Sequence, residues 1–264
     1  MCLTAVGQMC QTAGAATLLH RYSFSGDATD SVGGADGALL TNGTISGDTL
    51  TTTGTAGTTS GVSLPTTAIA GITTDFSIEQ YATWAGGTLN FSTLFAFSTN
   101  NTTYLLASPR RGGTGNLAGV AYNPVGGTTG AFTGETVLTA PTLTAGALTQ
   151  FVTTYESATN TISLYINGAL ASTATTSGAF DLSAVGSGFR GINGNNQFDA
   201  SMNGSTDDFR IYSGALTAEQ VVALGAAGAD ATNVDVMAAA VIPEPASLVI
   251  AGLGAVMLAG RRKR

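Results

Sequence analysis

Acidic residues in two stretches of the sequence are the first candidates for chemistry. Asp27, Asp30 and Asp36 lie within one turn-rich stretch, and Asp207 and Asp208 open a later strand. Ca²⁺ takes roughly six to eight oxygen ligands, often from loop carboxylates. Aspartate is also a common turn residue, because its side chain bonds to its own backbone. The pattern therefore leaves two interpretations open, a calcium site and ordinary turn chemistry.

Nucleophilic catalysis has little support in this sequence. His20 is the single histidine, and the two cysteines, Cys2 and Cys10, both precede residue 16. Residues 16–243 contain no lysine, so Ser-His-Asp, Cys-His and Ser-Lys arrangements are hard to assemble. Residues 186–191 match G-x-G-x-x-G, but no helix follows them, so we interpret them as a strand or turn.

Glycan hydrolysis would need two carboxylates that face one cleft. Glu79 and Asp75 share one face of a predicted strand, whereas Glu135 and Glu156 stand singly. We therefore predict a protein that is not an enzyme and has no catalytic residue. A glycan hydrolase that depends on Glu79 is kept as an alternative.

Sugar binding needs aromatic faces beside planar polar groups. The candidate side chains of this kind are Trp84, Tyr81, Tyr104, Tyr122, Asn123 and Arg110. Trp84 shares the apolar face of Phe76 and Ile78, so we assign it to the core. The predicted ligand-binding residues are Tyr81, Tyr122, Asn123 and Arg110.

The charge balance excludes one class of partner. The 264 residues carry a net charge of −7, yet four of the nine basic residues lie in the last four positions. Residues 16–243 hold five arginines against fifteen acids. A body this acidic cannot hold a phosphate backbone by counterion release, so nucleic acid is not an expected partner. Neutral polymers and cations are better candidates.

The body of the chain has the pattern of an antiparallel sandwich. Short alternating segments are separated by Gly, Asn, Asp and Thr, and charged residues make up only 9% of the chain. Asn167-Gly168 predicts a type I′ hairpin, and Thr217 with Gln220 predicts a capping box on one short C-terminal helix. The sequence therefore predicts an all-β fold with that single helix in the domain.

The C-terminus carries the most specific motif. Pro243-Glu244-Pro245 precedes an uncharged apolar run over residues 246–260 and the basic end Arg261-Arg262-Lys263-Arg264. This order resembles a PEP-CTERM sorting signal. The resemblance implies export, processing by an exosortase, and delivery to the surface or matrix of a Gram-negative-type bacterium. The apolar run is predicted to be a separate hydrophobic helix that anchors the chain, at least transiently, in the inner membrane.

Four segments of the body follow a family order: HRYSFSGDATDSVGGADG, DFSIEQYATW, TYESATNTISLYINGALAS and STDDFRIYSGALTAEQVVAL. Together they resemble laminin-G-like, concanavalin A-like jelly-roll domains. The resemblance implies that the first and last strands are neighbours, with Ca²⁺ often between their acids. The predicted calcium ligands are Asp30 and Asp207, followed by Asp27 and Asp208. Enzymes of this fold usually carry an E-x-D-x-E-like cluster, which is missing from this sequence.

These patterns divide the chain into four parts. Residues 1–15 are interpreted as the remnant of a truncated export signal, 16–225 as the jelly-roll domain, 226–242 as a linker and 243–264 as the sorting signal. The predicted function is a surface or matrix protein that binds extracellular polysaccharide. A structural or adhesive component that binds matrix protein is the alternative besides the hydrolase.

Overall fold

The computed structural model describes residues 16–55, 59–112, 118–123, 134–194 and 199–231. Two β-sheets pack face to face, and all pairs between named strands are antiparallel. The predicted all-β sandwich is confirmed. Its core lies between the sheets, where side chains such as Phe76, Phe95, Phe151 and Phe209 are fully buried.

The first sheet holds the long strands of the fold. In spatial order its strands are β13 (Ala169–Thr175), β12 (Thr161–Ile166), β11 (Leu148–Glu156), β6 (Phe76–Trp84), β15 (Asn203–Ser213), β4 (Thr49–Thr53) and β3 (Gly43–Ser46). Strand β1 (Thr17–Tyr22) pairs with the second half of β15. The first and last strands are therefore neighbours, as the family resemblance implied.

The second sheet is built from shorter strands. In spatial order these are β10 (Thr136–Ala140), β9 (Ala118–Asn123), β8 (Tyr104–Ser108), β7 (Phe95–Ser98), β14 (Phe189–Ile192), β5 (Val62–Ser63) and β2 (Ala38–Leu39). Alternate residues of β8 point to opposite faces, because Leu105 and Ala107 join the main core while Tyr104 and Leu106 do not. The sheet therefore has an inner face and an outer face that both carry apolar side chains.

One turn and one helix cap follow their sequence signals. Asn167 and Gly168 have φ angles of 50° and 79°, as the two central residues of a type I′ turn require. Helix α2 (Ala218–Ala227) begins at Thr217, whose side chain accepts from the Gln220 N–H while the Gln220 side chain accepts from the Thr217 N–H. The described part of the chain also contains a four-residue helix α1 (Leu182–Val185) and a 3₁₀ helix (Thr66–Ile69).

Helix α2 covers the outer face of the first sheet. Its Val221 and Leu224 are fully buried and pack against Val152, Tyr165 and Tyr212 of that sheet. Strand β6 alternates as predicted, with Phe76 and Ile78 facing the core, but its opposite face lies under the helix and not in water. Apolar contact with the sheet explains why a helix of this length is stable.

A buried ionic network lies beneath this helix. The Arg210 guanidinium contacts Glu79 Oε2 at 3.2 Å and Asp208 Oδ1 at 2.7 Å, and Arg21 contacts Asp208 Oδ2 at 2.7 Å. Arg210 also donates to the carbonyl oxygens of Ala229 and, at 3.0 Å, Ala231, so the segment after α2 is bound to the sheet. The network explains why charged side chains are tolerated in a fully buried position.

The early acidic loop is organised by Asp30. Its Oδ1 accepts from the backbone N–H groups of Arg21, Val32 and Gly33, and its Oδ2 accepts from His20 Nδ1 at 2.6 Å and from the Ala35 N–H at 2.9 Å. Gly33 is required at this turn, since a Cβ atom at this position would lie 2.3 Å from His20 Nδ1. Asp30 and His20 are therefore structural residues that close the loop on β1.

The Asp30 carboxyl group is strongly acidic as a result. Burial alone would raise its pKa, but the hydrogen bonds from His20 and from the Ala35, Arg21 and Gly33 N–H groups outweigh burial and lower the pKa to about 2. The ionised form is therefore bound more tightly in the folded state than in the unfolded chain.

One predicted boundary needs correction, and other predictions fall outside the described residues. The linker was predicted to begin at residue 226, but α2 continues to Ala227 and the carbonyl groups of Ala229 and Ala231 are held by Arg210. The export-signal remnant, the sorting signal and the predicted C-terminal hydrophobic helix lie outside the described ranges. Of the helices within those ranges, none has the length and apolar character needed to cross a membrane.

Replacing Arg210 with methionine should cost about 3–5 kcal/mol of unfolding free energy, because Glu79 would stay buried without its cation and Asp208 would lose one of its two arginines. Urea unfolding at neutral pH measures this. Arg190→Met is the matched control, since among the described residues Arg190 donates to the carbonyl groups of Leu64, Gly186 and Ser187 and to no carboxylate. An equal loss in both variants would contradict the role assigned to the network.

The ionised Asp30 should contribute about 2 kcal/mol at neutral pH. Because its folded pKa lies below the ordinary value of 3.8, this contribution is present above about pH 4 and disappears as the pH falls toward 2. Unfolding curves of Asp30→Asn should lack this part of the acid dependence. Asp48→Asn, at an exposed position, should keep it; a wild-type curve that is flat between pH 4 and pH 2 would refute the assignment.

Candidate functional site

The structure places the four predicted ligand-binding residues at separate positions in the fold. The Tyr122 side chain is fully buried between the sheets and stacks on Phe180 with ring centroids 4.0 Å apart. Asn123 is also fully buried, opposite Tyr104 in the ladder between β8 and β9. Arg110 donates to the Thr88 carbonyl and the Asn90 side chain. The two buried side chains, Tyr122 and Asn123, lie out of reach of a polymer at the surface.

Tyr81 is displaced from the predicted role by helix α2. Its hydroxyl donates to the Leu224 carbonyl at 2.6 Å, and the Arg210 guanidinium lies 5.5 Å from its ring centroid. Part of its ring lines a shallow groove beside the exposed side chains of Leu148 and Val222. Helix α2 covers this face of the sheet, and Tyr81 packs beneath the helix.

The four predicted calcium ligands do not fit one metal site. Both oxygens of Asp30 accept from backbone and His20 donors, and both oxygens of Asp208 are bound by arginines. Asp27 is exposed and accepts from the Thr29 N–H, while burial and the nearby Asp230 charge raise the pKa of Asp207. Over the described ranges, no three His, Cys, Asp or Glu side chains are grouped to hold a metal ion. Calcium binding stays a prediction that these positions do not support.

Glu79 is likewise unsuited to the hydrolase alternative. Its carboxylate is fully buried and accepts from Gln150 Nε2 at 2.7 Å, from the Tyr212 hydroxyl at 2.8 Å and from Arg210. Asp75, the second acid of that face, accepts from the Ser157 N–H at 2.6 Å. Both carboxylates serve the fold.

A groove opens instead on the outer face of the second sheet. Its volume is about 380 Å³, and we call it the outer groove. The residues that define it are Phe91, Tyr104, Leu106, Arg111, Glu135 and Asp199. Apolar walls with a few convergent polar groups are typical of a binding site for a small molecule or a sugar.

Small side chains on neighbouring strands make room for this groove. Ala96, Leu106 and Ala121 lie side by side on the outer face of β7, β8 and β9. Because two of these three side chains are single methyl groups, the sheet surface is low at this point and the larger side chains around it rise as walls. The groove thus depends on strand register, which aligns the small residues.

Phe91 forms one wall under local strain. Its φ angle of 57° lies in the left-handed region that side chains with a Cβ rarely adopt, and the residue is 36% exposed. A Cβ atom on Gly112 would lie 2.7 Å from the Phe91 ring, so glycine is needed for the ring to lie against this backbone. A strained, exposed aromatic residue in a groove is a feature of functional sites.

Three hydrogen-bonded polar side chains line the groove. The Tyr104 hydroxyl donates to Glu135 Oε1 at 2.6 Å, and Arg111 donates to the same oxygen at 3.0 Å. Burial and the Glu135 carboxylate raise the pKa of Tyr104, so its hydroxyl stays protonated. Glu135 is held in place by these two donors, which fixes a rigid polar surface for a ligand.

Asp199 is the second acid of the groove. Burial raises its pKa, and no ion pair or hydrogen bond reaches its carboxylate within the described ranges. Its charge also contributes to the raised pKa of Tyr104, which lines the same groove. The groove therefore contains one carboxylate with a cationic partner and one without.

Sequence reasoning found little of this site. Tyr104 was a candidate aromatic residue but was not among the predicted ligand-binding residues. Arg110 was predicted to bind the ligand, whereas its neighbour Arg111 is the arginine that lines the groove. Phe91, Glu135 and Asp199 were missed as binding residues. One signal was available: TYLLAS is apolar on both faces of its strand, which indicates that the outer face of β8 is also covered or used.

The comparisons with known proteins agree with the fold. A family model described as the concanavalin A-like lectin/glucanases superfamily matches residues 56–222, and the PEP-CTERM protein-sorting motif matches residues 241–264. A search among curated proteins finds no match.

Several solved structures are similar. Domain 4 of AbnA, an extracellular GH43 arabinanase from Geobacillus stearothermophilus solved with arabinotriose, has a TM-score of 0.61 and 19% identity over 79% of this chain and 98% of that chain. The binding domain of botulinum neurotoxin DC, solved with SialylT, has a TM-score of 0.59 and 14% identity over 81% of this chain and 51% of that chain. Identities this low show the fold alone.

The family model spans more than half of the 264 residues, and the sorting motif covers the C-terminal end. The two predicted resemblances are therefore confirmed. The chain belongs to the laminin-G-like family of the concanavalin A-like lectin/glucanases superfamily and ends in a PEP-CTERM sorting motif.

Proposed function

We propose that the protein is a non-enzymatic surface or matrix component that binds extracellular polysaccharide in the outer groove. The observation that carries this proposal is the combination of two aromatic side chains, Phe91 and Tyr104, with the Arg111–Glu135 pair in one open groove. The PEP-CTERM motif indicates export and sorting to the cell envelope, where polysaccharides are abundant.

The chemistry of the groove suits a sugar chain. The apolar face of a sugar ring can pack against the exposed Phe91 ring, while its hydroxyl groups can donate to carboxylates and accept from Arg111. Because Tyr104 and Arg111 already hold Glu135 in place, little side-chain entropy is lost on binding. The complex of the similar arabinanase domain with arabinotriose supports a sugar ligand for this fold.

One observation favours a second candidate, a glycan hydrolase. Glu135 and Asp199 line the same groove in unlike environments, since Glu135 forms an ion pair with Arg111 while burial raises the pKa of Asp199. Glycoside hydrolysis uses two carboxylates that differ in this way. If this candidate is correct, a bound polysaccharide must also be cleaved.

Binding of the purified full-length chain to a polysaccharide array tests the main proposal. We expect binding to at least one polymer and about tenfold weaker binding by Phe91→Ala, because the exposed ring contact is lost. Leu170→Ala, which removes an exposed apolar side chain outside the groove, is the matched control and should bind as the wild type does.

Three outcomes would overturn this assignment. A folded protein that binds nothing on the array would favour a structural or adhesive component that binds matrix protein. Equal weakening by Phe91→Ala and Leu170→Ala would place the site elsewhere. Release of reducing ends from the bound polymer, abolished by Glu135→Gln, would identify a hydrolase.

The C-terminal tail should be removed during sorting. We infer that the apolar run is held in the inner membrane with Arg261–Arg264 on the cytoplasmic side until an exosortase cleaves near Pro243-Glu244-Pro245. Intact-mass measurement of protein recovered from native cells should therefore lack the basic end. The control is the same chain from a host without an exosortase, which should keep it; native protein with an intact tail would instead indicate a permanent anchor.

A further inference from the structure

Among the described residues, the charged side chains of the outer groove do not sum to zero charge. Glu135 is paired with Arg111 through a contact of 3.0 Å, with both side chains largely buried. Asp199 lines the same groove, and no cation is paired with it within the described ranges. The groove therefore carries one uncompensated negative charge.

Nearby chain segments do not add a compensating charge. Residues 113–117, 124–133 and 195–198, which adjoin groove residues in the sequence, contain no ionisable side chain. The neighbouring Arg110 directs its guanidinium to the Thr88 carbonyl and the Asn90 side chain. Among the described side chains, the carboxylate of Asp199 therefore has no paired cation.

An unpaired carboxylate in a partly buried position is costly for the free protein. Burial removes water from Asp199 and raises its pKa, which records the cost of keeping the group ionised. A ligand hydroxyl that donates to Asp199 would recover part of this cost, and a ligand carboxylate or sulfate at the same place would increase it. A single group can in this way both favour one ligand class and reject another.

We propose that Asp199 selects against negatively charged ligands in the outer groove. Its carboxylate accepts hydrogen bonds from the hydroxyl groups of neutral polysaccharide and repels polymers that carry carboxylates or sulfates. This inference rests on the proposed function, since it names the polymer class that the same groove takes. Arg111 does not reverse the selection, because its charge is used by Glu135. Asp199 is thereby the specificity-determining residue, whereas Phe91 supplies contact to either class.

Matched neutral and acidic polymers provide the test. The probes are three pairs: dextran with carboxymethyl dextran, hydroxyethylcellulose with carboxymethylcellulose, and methyl-esterified with de-esterified homogalacturonan. Binding of the full-length chain is measured at neutral pH and low salt, where charge effects are least screened. The wild type should bind the neutral member of a pair about tenfold more tightly than the acidic member.

Asp199→Asn should reduce this preference to less than about threefold, because the amide keeps the shape of the side chain without its charge. Asp207→Asn is the matched control. It makes the same change in net charge on the first sheet, outside the groove, and should keep the wild-type preference. The control separates a local effect of Asp199 from the overall acidity of the protein.

The outcomes separate the two proposals. Equal binding of neutral and acidic members by the wild type would overturn the charge selection and leave polysaccharide binding intact. An equal change in Asp199→Asn and Asp207→Asn would assign the preference to net charge and also overturn the role of Asp199. Binding to no neutral polymer, either among these pairs or on the array, would overturn both proposals.

Discussion

The contact between Arg210 and its two carboxylates is the constraint on which much of this domain depends. Arg210 lies on β15 and contacts Glu79 on β6 and Asp208 on its own strand. It also donates to the carbonyl groups of Ala229 and Ala231. Arg21 extends the same network to β1. The first strand, the last strand and the segment after α2 therefore meet at one buried guanidinium.

This network also decides which sheet face is available for binding. Because the segment after α2 is bound to Arg210, the helix stays on the outer face of the first sheet, where it buries Val221 and Leu224. The aromatic and acidic side chains of that face, Tyr81 among them, are buried in contacts with the helix and with one another. The outer face of the second sheet has no such helix in the described ranges, and the groove with Tyr104 and Glu135 lies there.

Polar side chains in the core also form hydrogen bonds with partners from other parts of the fold. Gln80 interrupts the apolar face of β6, and its side chain donates to Asn193 at 3.0 Å and to Thr206 at 2.7 Å inside the core. Partners from outside β6 therefore satisfy the amide nitrogen of this buried glutamine. The acids of the early loop are satisfied in the same manner, through His20 and backbone donors.

The sequence by itself determined what depends on neighbours along the chain. Alternation in β6, the Asn167-Gly168 turn, the capping box of α2 and the sorting motif are local patterns, and each was predicted from a few adjacent residues. The residues of the outer groove were not predicted from sequence, because exposure is not a local property. Whether Tyr81 lies beneath a helix depends on where α2 packs, and which groups donate to the Asp30 carboxylate depends on the path of its loop. Only the tertiary structure decided these matters, because contacts between residues distant in the sequence determine which side chains lose water and which keep it.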